Sequence, residues 1–191
     1  MYNFTLALET IVSILFGYMN TNLLEIIKKR RSVRRFMDRE LPEEMVNELV
    51  EALIWAPSAG NLQSRRFYFI RNRQLRDDLV VPAWGQNFIA EAPLAVVACA
   101  DMRISAHYGD RGTDLYALQD VAASVQNLLL LACSHGLATV WVGAFDEQGV
   151  AQALGLPEYL RPVAIVPVGY PAEQPRAPRR LSHDKAIVFI D

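Results

Sequence analysis

The sequence predicts a mixed helix-and-sheet domain with helices on both faces of its sheet, and three observations carry that prediction. With 191 residues, 52% of them hydrophobic, the chain can bury one substantial core, and its length favours a single domain. Leu94 to Ala100, following Pro93, is an unbroken apolar run of strand length, the pattern of a strand covered on both sides. The stretch from Asp114 to His135, ended by Gly136, reads as the longest helix. Its second half (Val125, Leu128, Leu129, Leu130, Leu131, Ala132) is apolar nearly all round, which places it centrally.

The elements follow in order. Phe4 to Met19 is mostly apolar but carries Glu9, Thr10 and Ser13. It falls short of the ~20 apolar residues of a membrane span. It also lacks the leading positive charge and the small-residue cleavage site of a secretory signal. Phe4, Leu8, Ile11 and Leu15 share one helical face with Val12 and Phe16, so residues 1–21 are expected to form an apolar helical extension docked on the body or on a partner. Its polar positions offer no Lys or Arg for interfacial membrane attachment. Residues 22–191 form the domain proper.

Asn22 is placed to cap a helix over Leu23 to Arg31, with Glu25 at the third position of a capping box. Pro42, Glu43 and Glu44 open an amphipathic helix that stops at Pro57, and Ser58-Ala59-Gly60-Asn61 reads as a loop. Phe67 to Ile70 is a strand, and a short helix follows over Arg73 to Val80. Asp101 to Thr113 reads as a loop long enough to overhang a pocket, with His107, Tyr108, Asp110 and Arg111 as solvated loop residues. Thr139 to Val142 and Val163 to Val168 are further buried strands, the latter despite Pro167, and between them Asp146 caps a helix over Glu147 to Leu154. Pro171 to Pro178 is an extended arm. It leads to a terminal strand, Ala186 to Ile190, with the reach to join a sheet on another subunit.

Nineteen basic against 21 acidic side chains give a net charge of −2, which excludes a global field for nucleic acid or an anionic membrane. Cys99 and Cys133 lie inside apolar runs and read as small hydrophobes, with a reducing cytoplasm as the expected compartment. The three histidines are scattered, and no metal-ligand spacing or dinucleotide glycine fingerprint occurs.

Against that background one local cluster stands out: Arg30-Arg31-Ser32-Val33-Arg34-Arg35. Forked guanidinium donors with a hydroxyl suit a doubly charged phosphate monoester. The competing reading is a solvated basic run that complements the negative end of the preceding helix.

Together with Pro57-Ser58-Ala59-Gly60-Asn61-Leu62-Gln63, Tyr116-Ala117-Leu118-Gln119-Asp120, Gly136 to Phe145 and Pro167-Val168-Gly169-Tyr170-Pro171, this motif resembles the nitroreductase family of flavin enzymes. The resemblance runs from Asn22 to the C-terminus. It implies an α+β fold, a central mostly antiparallel sheet flanked by helices, and a homodimer with exchanged C-terminal arms that binds FMN at the subunit interface. It also implies that Arg30, Arg31, Ser32 and Arg34 hold the phosphate, ribityl chain and pyrimidine edge, and that Arg179 or Arg180 completes the phosphate site. Pro57, Ser58, Ala59 and Asn61 would reach the flavin of the other subunit. Gln119, Val142, Gly143 and Ala144 would contact the cofactor, the last two with backbone against the reactive face of the ring.

The implied activity is an FMN-dependent oxidoreductase that takes hydride from NAD(P)H and passes it to nitroaromatic, quinone or similar acceptors in a ping-pong cycle. The alternatives are a specialised flavoenzyme of dehalogenating or flavin-fragmenting type and a non-catalytic flavin-binding dimer. Two departures are visible, one being that Leu181-Ser182-His183-Asp184 follows the C-terminal arginines where relatives commonly have an acidic run. The family often continues the Asn-x-Gln loop with Pro-Trp, where this chain has Ser64-Arg65-Arg66, so the packing beneath that loop is where a difference is expected.

Overall fold

The computed structural model describes residues 22–190, and the helix expected over residues 1–21 lies outside them. The first helix, α1 (Leu23–Lys29), begins where the sequence places it: the Asn22 side chain accepts the Leu24 N–H at 3.0 Å. Glu25 faces Lys28 at 3.5 Å. The helix stops two residues short of expectation, with Arg30 as its C-cap. Helix α2 (Glu43–Ile54) buries Val46, Leu49 and Leu53, and Trp55 ends it.

Strand β1 (Arg65–Ile70), helices α3 (Arg73–Asp78) and α4 (Phe88–Glu91), and strand β2 (Leu94–Asp101) follow. Helices α5 (Ser105–Arg111) and α6 (Ala117–Ser134) precede the two-residue β3 (Ala138–Thr139). Next come α7 (Glu147–Leu154), capped by the Asp146 side chain, and β4 (Leu160–Gly169).

The four strands form one sheet in the order β1-β2-β4-β3, and every neighbouring pair is antiparallel. Strand β2 is the spine. Its Leu94, Val96, Ala98 and Ala100 pack into one apolar cluster with α2 and α6, while Ala95, Val97 and Cys99 pack into a second with Leu79, Ile89 and Val150. The unbroken apolar run therefore means what it predicts, a strand with a core on each side. Length and apolarity alone would let Met102–Ser134 cross a membrane, but Ala117, Val121, Val125, Leu128 and Ala132 of that stretch line the first cluster.

Three expectations need correction. The stretch Asp101 to Thr113 is helical: a 3₁₀ turn (Met102–Ile104), then α5 broken at Gly109, then a π turn (Gly112–Tyr116) running into α6. Helix α5 buries none of its residues, so it carries no apolar stripe to read. Gly112 permits the tight winding, since a Cβ there would lie 3.0 Å from Tyr108 Cβ and 3.2 Å from the Ile104 carbonyl. The strand expected over Thr139 to Val142 is only β3 plus an isolated pairing of Val142 with Ile165, because Val140 and Val142 owe their burial to side-chain packing in the second cluster and not to a continuous ladder. At the C-terminus His183–Ala186 forms a short helix, α8. Ile187 to Ile190 make no ladder with the described residues and are 50 to 93% exposed, since the arm carries them away from their own sheet.

Candidate functional site

The arginine cluster sits where the chain leaves α1 and is strapped against the sheet. Val33 N–H donates to the Thr139 carbonyl at 3.0 Å, Met37 N–H to Tyr170 at 2.9 Å, and Ala172 N–H to Arg35 at 2.9 Å. The arm after β4 thus starts antiparallel to the cluster, with Phe36 and Pro171 bridged. It then folds so that Arg30, Arg31, Ser32 and Arg34 share a cavity of about 300 Å³ with Pro175, Arg176, Pro178 and Arg180. Arg30, Arg31 and Arg180 also line a second cavity of about 410 Å³, and Arg30 and Arg31 a third of about 650 Å³. Arg179 lines none of the three. Arg31 also partly fulfils the helix-end reading, because its Nη1 donates to the Lys28 carbonyl and, at 2.7 Å, to that of Arg30.

A second cluster forms at the N-terminal end of α6. Ser58 is extended, and the chain then winds tightly, with Gly60, Asn61 and Gln63 all left-handed (φ 55°, 55° and 53°). Two such residues without glycine's freedom are strained unless held by neighbours. The holds are visible: Ser58 Oγ accepts the Gln63 N–H at 3.0 Å, and Asp120 Oδ1 accepts the Ala59 N–H at 2.9 Å. Asp120 is 3% exposed and its Oδ2 is buried without a partner. Beneath the loop, Arg65 donates to the carbonyls of Ile54 (2.9 Å), Ala56 (2.7 Å), Pro57 (3.0 Å) and Asp120 (3.3 Å). Burial pulls the Arg65 pKa down, and the Asp120 charge opposes that shift. Gln119, beside Asp120, is exposed. None of Pro57, Ser58, Ala59, Asn61 or Gln119 lines the cavities around the arginines.

The third stretch continues from Thr139, which touches the arginine cluster. Val142 and Ile165 exchange hydrogen bonds at 2.9 and 3.0 Å, and Gly143 and Ala144 emerge exposed. A Cβ on Gly143 would meet nothing nearer than the Trp141 indole nitrogen at 3.7 Å, an ordinary contact. Tight packing within the chain therefore does not explain the glycine. The Ala144 carbonyl accepts from Gln86 Nε2 at 2.9 Å.

Sequence reasoning missed several members of these clusters. Glu173, the sole acid between Pro171 and Pro178, lines the largest of the three cavities, and its Oε1 accepts the Arg34 N–H at 2.6 Å. Arg65, Asp120 and Gln86 act through backbone groups distant in sequence, which no local pattern signals. Cys133 is half-buried and lines the same cavity as Glu173; burial raises its thiol pKa while Arg30, Arg31 and Lys29 oppose the shift. Burial pushes Cys99 up to about 12, in keeping with a core side chain.

Comparison with known proteins adds four findings. A model of the nitroreductase family matches residues 27–97 and 80–170. A protein of Methanothermobacter thermautotrophicus with the provisional name NADH dehydrogenase/NAD(P)H nitroreductase is 34% identical over 159 residues, covering 81% of this chain and 80% of its own length. An FMN reductase (NAD(P)H) of Bacillus subtilis is 28% identical over 189 residues, covering 87% of this chain and 76% of its own. The solved structure of nitroreductase A from Vibrio parahaemolyticus shares the fold, with a TM-score of 0.82 at 24% identity over 90% of this chain and 76% of that one.

Proposed function

The chain belongs to the nitroreductase family, and from that premise we propose that its two residue clusters are the halves of a flavin site completed between two copies of the chain. The protein is an FMN-dependent oxidoreductase that uses NAD(P)H to reduce nitroaromatic, quinone or similar acceptors by ping-pong hydride transfer. One observation carries the assignment to these residues: Arg30, Arg31 and Arg34 converge on one cavity with Arg180 from the opposite end of the chain. A phosphate monoester fits that donor set, since forked guanidinium groups meet its oxygens in pairs.

When bound, FMN would supply the hydride-transfer chemistry between nicotinamide and acceptor. Arg30, Arg31, Ser32, Arg34 and Arg180 would hold the phosphate, ribityl chain and pyrimidine edge between them, and positive charge beside that edge would favour the added electrons. Val142 leads the Gly143–Ala144 backbone to the reactive face, where small side chains leave room for nicotinamide and acceptor in turn. Pro57, Ser58, Ala59, Asn61 and Gln119 present the other wall to the flavin of the second copy.

Two features support a homodimer with exchanged arms. The Ile187–Ile190 tip exposes four apolar residues at the end of an extended arm. A cleft of about 550 Å³ between α1, α2 and α6, with Leu23, Ile26, Trp55, Leu130 and Leu131 along it, offers an apolar face for association. Two unpaired cysteines suit a reducing cytoplasm.

The test is the visible spectrum of the purified protein, followed by stopped-flow bleaching with NADPH and NADH. A flavin spectrum bleached by at least one of them is expected. Arg34→Ala should weaken FMN binding roughly ten- to 150-fold, the equivalent of ~1.5–3 kcal/mol for one charge-assisted contact. A protein that stays colourless after incubation with FMN, or a bound flavin that neither nucleotide reduces, would refute the reading.

A further inference from the structure

Before β2 the chain makes a tight turn that buries Ala83 but leaves its bulkiest residue in solvent. Trp84 is left-handed at φ 55° and Gly85 follows at φ 79°, yet the Trp84 indole is 69% exposed. A bulky residue holds such a backbone only where its surroundings over-determine it. The surroundings here are hydrogen bonds. Gly85 N–H donates to the Val80 carbonyl at 2.9 Å, and the turn delivers the Gln86 side chain, whose Nε2 donates to Ala83 at 3.0 Å and to Ala144 at 2.9 Å. Both amide protons are thereby used, one to brace the side chain and one to reach across the fold. The same turn holds the next residues, because the Pro82 carbonyl accepts the Asp146 N–H at 2.8 Å. Helix α7 is pressed close behind it: a Cβ on Gly149 would come 2.7 Å from Pro82 Cβ.

The Gly143–Ala144 segment is therefore fixed on one side by the Val142–Ile165 pair and on the other by Gln86 and Pro82. Val142 and Phe145 bury their side chains on either side of the segment, and among the described residues Gln86 is the one side chain hydrogen-bonded to it, acting on the carbonyl of a residue whose own side chain is a methyl. We propose that Gln86 is a positioning residue of the flavin site, setting the orientation of the Gly143–Ala144 backbone at the reactive face through its hydrogen bond to the Ala144 carbonyl. This rests on the placement of FMN against Gly143 and Ala144 given above. Gln86 itself lines none of the cavities around the arginines, so its effect should fall on reactivity and potential while cofactor retention is spared.

The experiment compares wild type, Gln86→Leu and Gln86→Glu as full-length, FMN-loaded proteins. It measures FMN affinity, the midpoint potential of the bound flavin, its visible spectrum, and the single-turnover bleaching rate with whichever nicotinamide reduces wild type. Leu fills similar space without a donor. It should keep FMN affinity within about threefold, shift the potential and the flavin absorbance, and slow bleaching at least tenfold. Glu at about pH 8 is ionised and faces two carbonyls, so it should be as slow as Leu. At about pH 5 a protonated carboxyl can again donate, and its rate relative to wild type should recover severalfold. A merely structural role would not produce that pH-dependent rescue. Bleaching rate and potential unchanged in fully loaded Gln86→Leu would overturn the inference while leaving the flavin site intact. Should Gln86→Leu fail to fold, a Gln86→Glu rate equal to wild type at both pH values would overturn it alone. A wild type that binds no FMN would overturn the site assignment and the inference together.

Discussion

Replacing Arg65 with Met removes the guanidinium beneath the loop that follows α2 while keeping an apolar stem of similar length. The cost can be worked from its four acceptors. Ile54 and Pro57 are exposed, so water can take over their carbonyls. The Asp120 carbonyl is already engaged by Ser124 Oγ at 3.1 Å. Ala56 is different: the residue is 7% exposed and its carbonyl receives the shortest of the four bonds, 2.7 Å. An unpaired buried acceptor costs ~1–3 kcal/mol, and the buried Asp120 carboxylate loses its nearby positive charge as well. Against this, the half-buried guanidinium no longer has to be desolvated, a cost visible in its lowered pKa. The net expectation is a loss of roughly 2 kcal/mol. With a urea slope of about 2 kcal/mol/M, the midpoint of FMN-free protein should fall by about 1 M. Amide exchange at Ala59, whose N–H is tied to Asp120, should quicken in the same variant. Arg65→Lys, a single donor point, should lie between. A midpoint within about 0.2 M of wild type together with unchanged Ala59 exchange would refute the clamp.

Two further outcomes follow from the packing. Gly169→Ala would push a Cβ to 2.7 Å from Pro93 Cδ and 3.1 Å from Phe36 Cδ1, neither of which can yield easily, so a loss of ~1–3 kcal/mol is expected, read as a drop of several degrees in thermal midpoint. Cys99, with its pKa raised by burial from 9.0 to about 12, holds its proton in the folded state while the unfolded thiol ionises. Its contribution is complete below pH 9 and is lost as pH climbs toward 12, so the stability advantage of wild type over Cys99→Ala should shrink by roughly 1–2 kcal/mol between about pH 8 and pH 10.5 in urea titrations.

What could be read from the sequence is what packing and capping fix locally. Strand β2 declares its two-sided burial in an unbroken apolar run, and Asn22 and Asp146 cap the helices the pattern places after them. The arginine run and the Gly143 stretch could be singled out as candidates because their residue types sit side by side in the chain. Helix α5 was not, because every residue it presents is exposed and Gly109 and Gly112 look like loop formers. The extent of β3 was misjudged because Val140 and Val142 are buried by side-chain packing in the second cluster, where burial without a ladder gives the same apolar signature as a strand. Arg65 was invisible as a clamp. A guanidinium serving carbonyls at the end of one helix and the start of another depends on a tertiary approach that no spacing encodes.

The same approach bears on which reading of the arginine run holds. A basic run that merely complements a helix end has no reason to recruit cations from elsewhere. Arg31 does brace the end of α1 through Nη1. The arm, however, is drawn back by the Ala172–Arg35 hydrogen bond and the Phe36–Pro171 bridge, so that Arg176 and Arg180 join Arg30, Arg31 and Arg34 around one cavity. Arg30, Arg31, Arg34, Arg176 and Arg180 put five positive charges around one cavity, and Glu173 brings one negative charge to the neighbouring one. In a chain whose net charge is −2 this is a local concentration of positive charge, and under the proposed function a dianion with several acceptor oxygens is the species it would hold.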